Sequence, residues 1–299
     1  MTELRATLFE TLHLYAPGDQ PLDLGSPTTR SLIAYLLLNR ARPSDRRRLA
    51  FLFWPAATEA AARRNLRQYL HHIRGALAAV DPEGDLLLTE GTNIQLNPRA
   101  EVCLDVETFV QETRPEASTD EMRHALSLYS GNLLEDIYDD WCSLERDRLR
   151  QLWLSTLDRY SQALESSGQL NQALVVVQKW LAAEPFDENA LRRLMQILAL
   201  NGDRARAVHA YQGFARLLET EIGTEPLPET QELLHSIQNG QTPGREASAP
   251  SMKAASRPVQ RKPAVPFVGR QKEIAALEAV HQRARAGSGQ LVFITGEAG

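Results

Sequence analysis

The sequence predicts a mainly α protein. A winged helix-turn-helix domain comes first, then an all-α helical-repeat domain of tetratricopeptide type, then a linker and an incomplete α/β segment. Three observations carry this reading. Short strands, three helices and a hairpin follow one another over residues 1–100. Helical periodicity with a 34-residue repeat fills 101–238. Residues 290–299, QLVFITGEAG, form an apolar strand leading into a glycine turn.

Residues 2–24 read as short strands: ATLFETLHLY, the turn signal Ala16-Pro17-Gly18-Asp19, then PLDL. Ser26 or Thr28 caps a helix to about Asn39, with Leu32, Ile33, Leu36 and Leu37 on one stripe. Pro43-Ser44-Asp45 breaks it, and Ser44 or Asp45 caps a second helix, RRRLAFLFW, which ends at Pro55. Thr58 caps a third, longer helix from Glu59 to about Val80. Asp81-Pro82-Glu83-Gly84 ends it, and DLLLTEGTNIQLN reads as two strands around Glu90-Gly91. Short helix, turn and long helix fit a helix-turn-helix, with the hairpin as its wing.

On the third helix, Leu66, Leu70, Ile73 and Leu77 share a narrow arc that must face the core. Arg64, Arg67, Gln68 and His71 fall on the other side. A helix fits the major groove of DNA, where Arg bonds guanine edges or phosphates and Gln bonds adenine edges. Each of these side chains is read either as a base contact, as a phosphate contact or as a solvated group. Charge agrees with a polyanion here. Residues 40–80 carry nine arginines and two acids, a net of +7, whereas 101–238 carry 12 basic residues and 24 acids, a net of −12. His71 and His72 are adjacent, not four apart, and no Cys or carboxylate stands near them, so no metal site is expected.

Residues 104–238 read as helix after helix: LDVETFVQ, DEMRHALSLYSG, then a long one from DWCSLERD to ALESSG with Leu144, Leu152, Leu157 and Leu164 among its apolar positions. At an offset of 34, Leu157 aligns with Leu191, Leu164 with Leu198, Gly168 with Gly202, Ala173 with Ala207 and Val177 with Tyr211. The alanines let paired helices approach closely, the glycines end the first helix of each pair, and Pro185 and Pro226 mark exits from the second. Residues 239–266 are rich in Pro, Ser, Ala and Gly without apolar period and read as a disordered linker.

Several functional classes are excluded or weakened. The longest apolar runs, such as residues 32–38, fall far short of the ~20 residues that span a bilayer, and the N-terminus is no secretory signal. Cys103 and Cys142 stand far apart and read as reduced thiols of a cytoplasmic protein. Within 267–299, Gly296-Glu297-Ala298-Gly299 after Leu291-Val292-Phe293-Ile294 opens like a phosphate-binding loop. Nucleotide chemistry needs a following lysine, a Ser/Thr hydroxyl and a downstream carboxylate. None follows here, so Gly296 and Gly299 form an incomplete P-loop, and the expectation is no enzyme and no cofactor. The alternatives are a protein-interaction scaffold built on the repeats, or a fragment of a nucleotide-regulated ATPase.

LFWPAATEAAARRNLRQYLHHIRGAL, residues 52–77, resembles the DNA-binding segment of SARP-type bacterial transcriptional activators. LYSGNLLEDIYDDWCSLERDRL and YQGFARLLETEIGTEPLPET resemble the bacterial transcriptional activation domain that follows it. FVGRQKEIAALEAV and the closing GEAG are similar to the start of the nucleotide-binding domain of large regulators of this type, as if this were the front portion of one. The resemblance implies a two-domain unit that binds promoter DNA repeats and helps recruit RNA polymerase; the helical-repeat domain is read as docking the winged helix, pairing two copies as a homodimer on repeated sites, or holding a protein partner. Carried onto this chain, it makes Arg64, Arg67, Gln68, His71 and Arg74 the candidate DNA contacts, with Thr92 and Asn93 in the wing. The wing departs from the pattern: it carries Glu90 and no basic residue before Arg99, which shifts affinity toward Arg46, Arg47 and Arg48.

Overall fold

Alternation of apolar and polar residues sets the first sheet. Strand β1 (Leu4–Thr7) buries Leu4 and Ala6 and exposes Arg5, and pairs antiparallel with β2 (His13–Ala16). The turn at Gly18 and Asp19 takes left-handed φ values of 80° and 59°. It leads into β3 (Gln20–Pro21), while Arg5 holds Asp19 at 2.6 Å across the turn. The computed structural model describes residues 4–240. Within the 239–266 linker only Asn239 and Gly240 are described. They close the last helix. The P-loop glycines Gly296 and Gly299 and all of 267–299 lie outside the described residues.

The three expected helices follow, each started by the side chain its sequence offers. Ser26 caps α1 (Pro27–Leu38), accepting the Thr29 N–H, with Pro27 at the first turn where its missing N–H does no harm. Asp45 caps α2 (Arg46–Phe53) and Thr58 caps α3 (Glu59–Leu77). The third helix stops at Leu77, short of Val80, because Val80 and Asp81 both donate back to the Leu77 carbonyl in a tight turn. The wing is β5 (Leu87–Glu90) and β6 (Asn93–Leu96), turned at Gly91 with φ 57°. The Ser44-Asp45 breaker also serves as a short strand, β4 (Ser44–Asp45). It pairs with β6 and makes the wing a three-stranded sheet.

Seven further helices give ten among the described residues: α4 (Asp105–Glu112), α5 (Thr119–Leu128), α6 (Asp140–Ser166), α7 (Leu170–Ala183), α8 (Glu188–Leu200), α9 (Arg204–Glu221) and α10 (Pro228–Gln238). The 34-residue repeat is the α6–α7 and α8–α9 pair. Gly168 and Gly202 take φ 76° and 82° at the two inter-helix turns, where a side chain would be strained. Ala173 and Ala207 are fully buried where the paired helices meet. One of the apolar positions of α6 faces solvent. Leu144 is 83% exposed. It lies roughly 200° around the helix from buried Cys142, so the stripe through Leu149, Trp153, Leu157 and Leu164 passes on the far side.

The N-terminal part and the helices share one core. Strand β7 (Val102–Leu104) pairs parallel with β1 and completes a sheet of order β3-β2-β1-β7. The next residue, Asp105, accepts the backbone N–H groups of Leu8, Phe9 and Val106 at 2.7–3.0 Å. Burial pushes its carboxyl above the usual range, against the opposite pull of those N–H bonds. Phe9 lies edge-on to Phe109 at 5.1 Å, and Tyr129 packs on both and stacks on Trp153 at 4.8 Å. Burial in that stack pushes the Tyr129 hydroxyl up to about 12. The 133–137 loop also joins the two parts: Leu134 donates to the Leu8 carbonyl at 2.9 Å and Glu135 to that of Glu10 at 2.7 Å.

That loop is held by one side chain. The Arg146 guanidinium donates to the carbonyls of Leu133, Leu134 and Ile137 at 2.7–2.9 Å, and Leu134 sits in the left-handed region at φ 49°. Replacing Arg146 with Ala removes three charge-assisted bonds at once and leaves part-buried carbonyls unpaired. The expected loss is about 2–3 kcal/mol. Urea unfolding monitored by tryptophan fluorescence reads it directly, and an unchanged midpoint would refute the role of this clamp.

Candidate nucleic-acid interface

Helix α3 is amphipathic by sequence, and the fold uses the expected side. Ala62, Leu66, Leu70, Ile73 and Leu77 are buried. Arg64, Gln68 and His71 are exposed near the centre of the opposite face. Among the described residues none of these three has a side-chain hydrogen bond or ion pair, so their donors face solvent ready for an external partner. Arg67 is exposed beside them, toward the wing, and is likewise without an ion pair among the described residues.

The other expected residues are distributed more unevenly. Arg74 is exposed, but its Nη2 donates to Thr89 Oγ1 of β5 at 2.8 Å, tying the end of α3 to the wing. Thr92 and Asn93 are exposed at the wing tip. The Thr92 carbonyl accepts the Arg46 N–H at 2.8 Å, and Asn93 pairs with Asp45, so the tip is fastened to the start of α2. Arg46 is half-buried, and its Nε is buried without a partner among the described residues. Arg47 lies over the Phe51 ring at 5.9 Å, and Arg48 points to solvent. His71 and His72 have ring centroids 6.4 Å apart.

These residues form two subsites. Arg64, Gln68 and His71 make an outward row. Arg46, Arg47, Arg67 and Thr92 instead line a cleft of ≈ 600 Å³ between α2, α3 and the wing, together with Asp45 and Arg63. Arg48 and Arg74 are outside that cleft. The sequence reading missed Arg63, Thr89 and Glu59. Glu59 Oε1 accepts Arg63 Nη2 at 2.5 Å and lies 3.5 Å from Arg47 Nε. The i,i+4 spacing of Glu59 and Arg63 was the available signal.

Beside the exposed face of α3, a row of aromatic rings connects to the helical half. Tyr69 of α3 stacks on Trp54 at 5.4 Å, Trp54 packs on Phe53 at 6.0 Å, and Phe53 lies 6.4 Å from Trp141 of α6. Tyr35 of α1 meets Trp141 edge-on at 5.3 Å. Ion pairs of Arg30 with Asp136 at 2.9 Å and Arg40 with Glu107 at 2.5 Å flank the same seam, as does a hydrogen bond from Ser31 to Asp139.

Comparison with known proteins agrees with this architecture. Residues 104–238 match the family described as "Bacterial transcriptional activator domain". The chain is 27% identical over 296 residues to the regulatory protein AfsR of Streptomyces coelicolor, covering 94% of this chain and 29% of AfsR. It is 26% identical over 229 residues to the transcriptional regulatory protein MoaR1 of Mycobacterium tuberculosis, covering 72% of this chain and 73% of MoaR1. It thus spans less than a third of the length of AfsR. In fold it is similar to a solved structure of Mycobacterium tuberculosis EmbR in complex with a low-affinity phosphopeptide. The TM-score is 0.68 at 20% identity, over 81% of this chain and 66% of that one. Among the described residues no helix is long and apolar enough to cross a membrane. Residues 104–238 are therefore a bacterial transcriptional activator domain, and the chain that carries them is homologous to the SARP-type transcriptional regulators.

Proposed function

We propose that this chain is a sequence-specific DNA-binding regulator of transcription, and an activator. In this reading α3 enters the major groove of promoter DNA. Arg64, Gln68 and His71 read base edges, and Arg46, Arg47, Arg48, Arg67 and Arg74 hold the phosphates. The observation that carries it is the outward row of donors without internal partners on an exposed helix, beside a wing fastened to the same unit. The exposed Thr92 and Asn93 bring no charge and act as weak backbone contacts of the wing. The acidic helical half meets protein, with RNA polymerase as the proposed partner, and two copies bind repeated sites. The chain binds; it does not catalyse.

Selection of bound duplexes from a random library, at defined salt, tests the reading. The expected result is enrichment of repeated half-sites about one helical turn apart. The affinity should fall with salt, with a slope of about −0.9 for each phosphate held. Recovery of nothing above the starting library would sink the proposal and favour a scaffold that meets only protein.

A further inference from the structure

The cleft between α2, α3 and the wing contains more positive charge than its own acids satisfy. Asp45 spends Oδ1 on the N–H groups of Arg47 and Arg48, at 2.9 and 3.0 Å, as the cap of α2. Arg67 has no ion pair among the described residues, and Arg46 offers a buried Nε–H with no acceptor. The remaining two guanidinium groups are engaged by one atom. Glu59 Oε1, in the first turn of α3, takes Arg63 from its own helix at 2.5 Å and faces Arg47 of α2 at 3.5 Å. A carboxylate oxygen set between two guanidinium groups has the same recognition geometry as a phosphate oxygen there.

We propose that this cleft is the seat of one DNA backbone phosphate, and that Glu59 occupies two of its arginines in the free protein and must be displaced when DNA binds. This rests on the DNA-binding reading above and adds a tuning residue to it. The consequence follows from counterion release. Arginines that already face an internal carboxylate bring less net positive charge to a phosphate, so fewer of the counterions condensed on the DNA are released when they meet it. Glu59 therefore lowers both the affinity for duplex and its dependence on salt. The wing tip, which carries no cation of its own, closes the cleft through Thr92 and the Arg46 N–H.

The test is a salt titration of the full chain against a fluorescent random-sequence duplex, since the phosphate term is independent of sequence. Glu59→Gln is expected to bind roughly 3- to 10-fold tighter at about 0.1 M salt, with a log–log slope steeper by about one or two. Glu59→Ala should do the same, because Thr58 still caps the helix. Arg63→Gln should change affinity less in the wild-type chain than in the Glu59→Gln chain, where it should remove the part of the gain that comes from Arg63 and leave the part from Arg47. Equal affinity and equal slope for Glu59→Gln and wild type would overturn the assignment. A wild-type chain that binds no duplex at all sinks the DNA reading itself, a separate result. Calorimetric titration with inorganic phosphate separates the two sources of this chemistry. No saturable heat is expected. Saturable uptake of phosphate with unchanged duplex binding would overturn the DNA assignment of the cleft.

Discussion

Replacing Arg64 and Arg67 together with alanine should abolish the shift of promoter DNA while leaving the far-UV circular dichroism and the melting temperature unchanged. Both side chains are exposed, and neither forms an ion pair among the described residues, so the fold loses nothing when they are cut. The proposed interface loses two neighbouring cations, one near the centre of the exposed face of α3 and one on its wing side. A bidentate arginine–base contact contributes ~1–3 kcal/mol, and a phosphate contact adds to the salt slope. Two such losses amount to about 2–6 kcal/mol, roughly a 30-fold to 20,000-fold weaker complex. Arg123→Ala is the matched control: it removes one exposed arginine from the acidic helical half, where Arg123 pairs with Asp120 at 2.8 Å. It should leave the shift intact. Undiminished binding by the double variant would remove α3 from its assigned role.

Phe109→Ala should cause the largest loss of stability. The ring is fully buried and touches Phe9, just after β1, and Tyr129 from the helical half. Removing it leaves a cavity where both halves meet, and buried Phe→Ala changes cost about 3–5 kcal/mol. For a chain of this size that is a fall of about 6–20 °C in melting temperature. Both halves should still melt in one transition, because Phe109 is shared and does not belong to either alone. Differential scanning calorimetry distinguishes the outcomes. A loss below about 1 kcal/mol, or two separated transitions of which only one moves, would refute the shared core.

Local chemistry was legible in the sequence to within a residue or two. Thr58 reads as a cap and caps, while Ser26 or Thr28 and Ser44 or Asp45 each leave a pair, of which Ser26 and Asp45 are the caps. Gly91 marked the hairpin, and the offset of 34 marked two stacked helix pairs, because turn chemistry and close helix packing constrain individual positions. The outward row on α3 was legible because a long amphipathic helix has only one face left once its core stripe is assigned. What escaped was pairing between distant segments. β7 is three residues long and β4 two, too short to show any alternation. Asp105 reads as an ordinary acid in a first helical turn, and nothing beside it in sequence announces that it receives the Leu8 and Phe9 N–H groups. The exposure of Leu144 was not legible either, because apolar character alone does not say which side of a long helix a residue takes. Glu59 escaped because interest in a basic helix falls on its cations, whereas its acids decide how many of those are free.

The parallel pairing of β1 with β7 sets an order of events for the newborn chain. Asp105 follows Leu8 by 97 residues. At about 5–20 residues per second, the ribosome delivers it roughly 5–20 s later. The three helices and the wing close through nearby contacts and have no need to wait. β1 does: until residues 102–105 emerge, one edge of its sheet is bare and the N–H groups of Leu8 and Phe9 have no carboxylate to meet. A bare edge is a template for any passing strand. During synthesis, the first residues of the helical half are therefore what shields the N-terminal half from pairing with its neighbours on the same messenger.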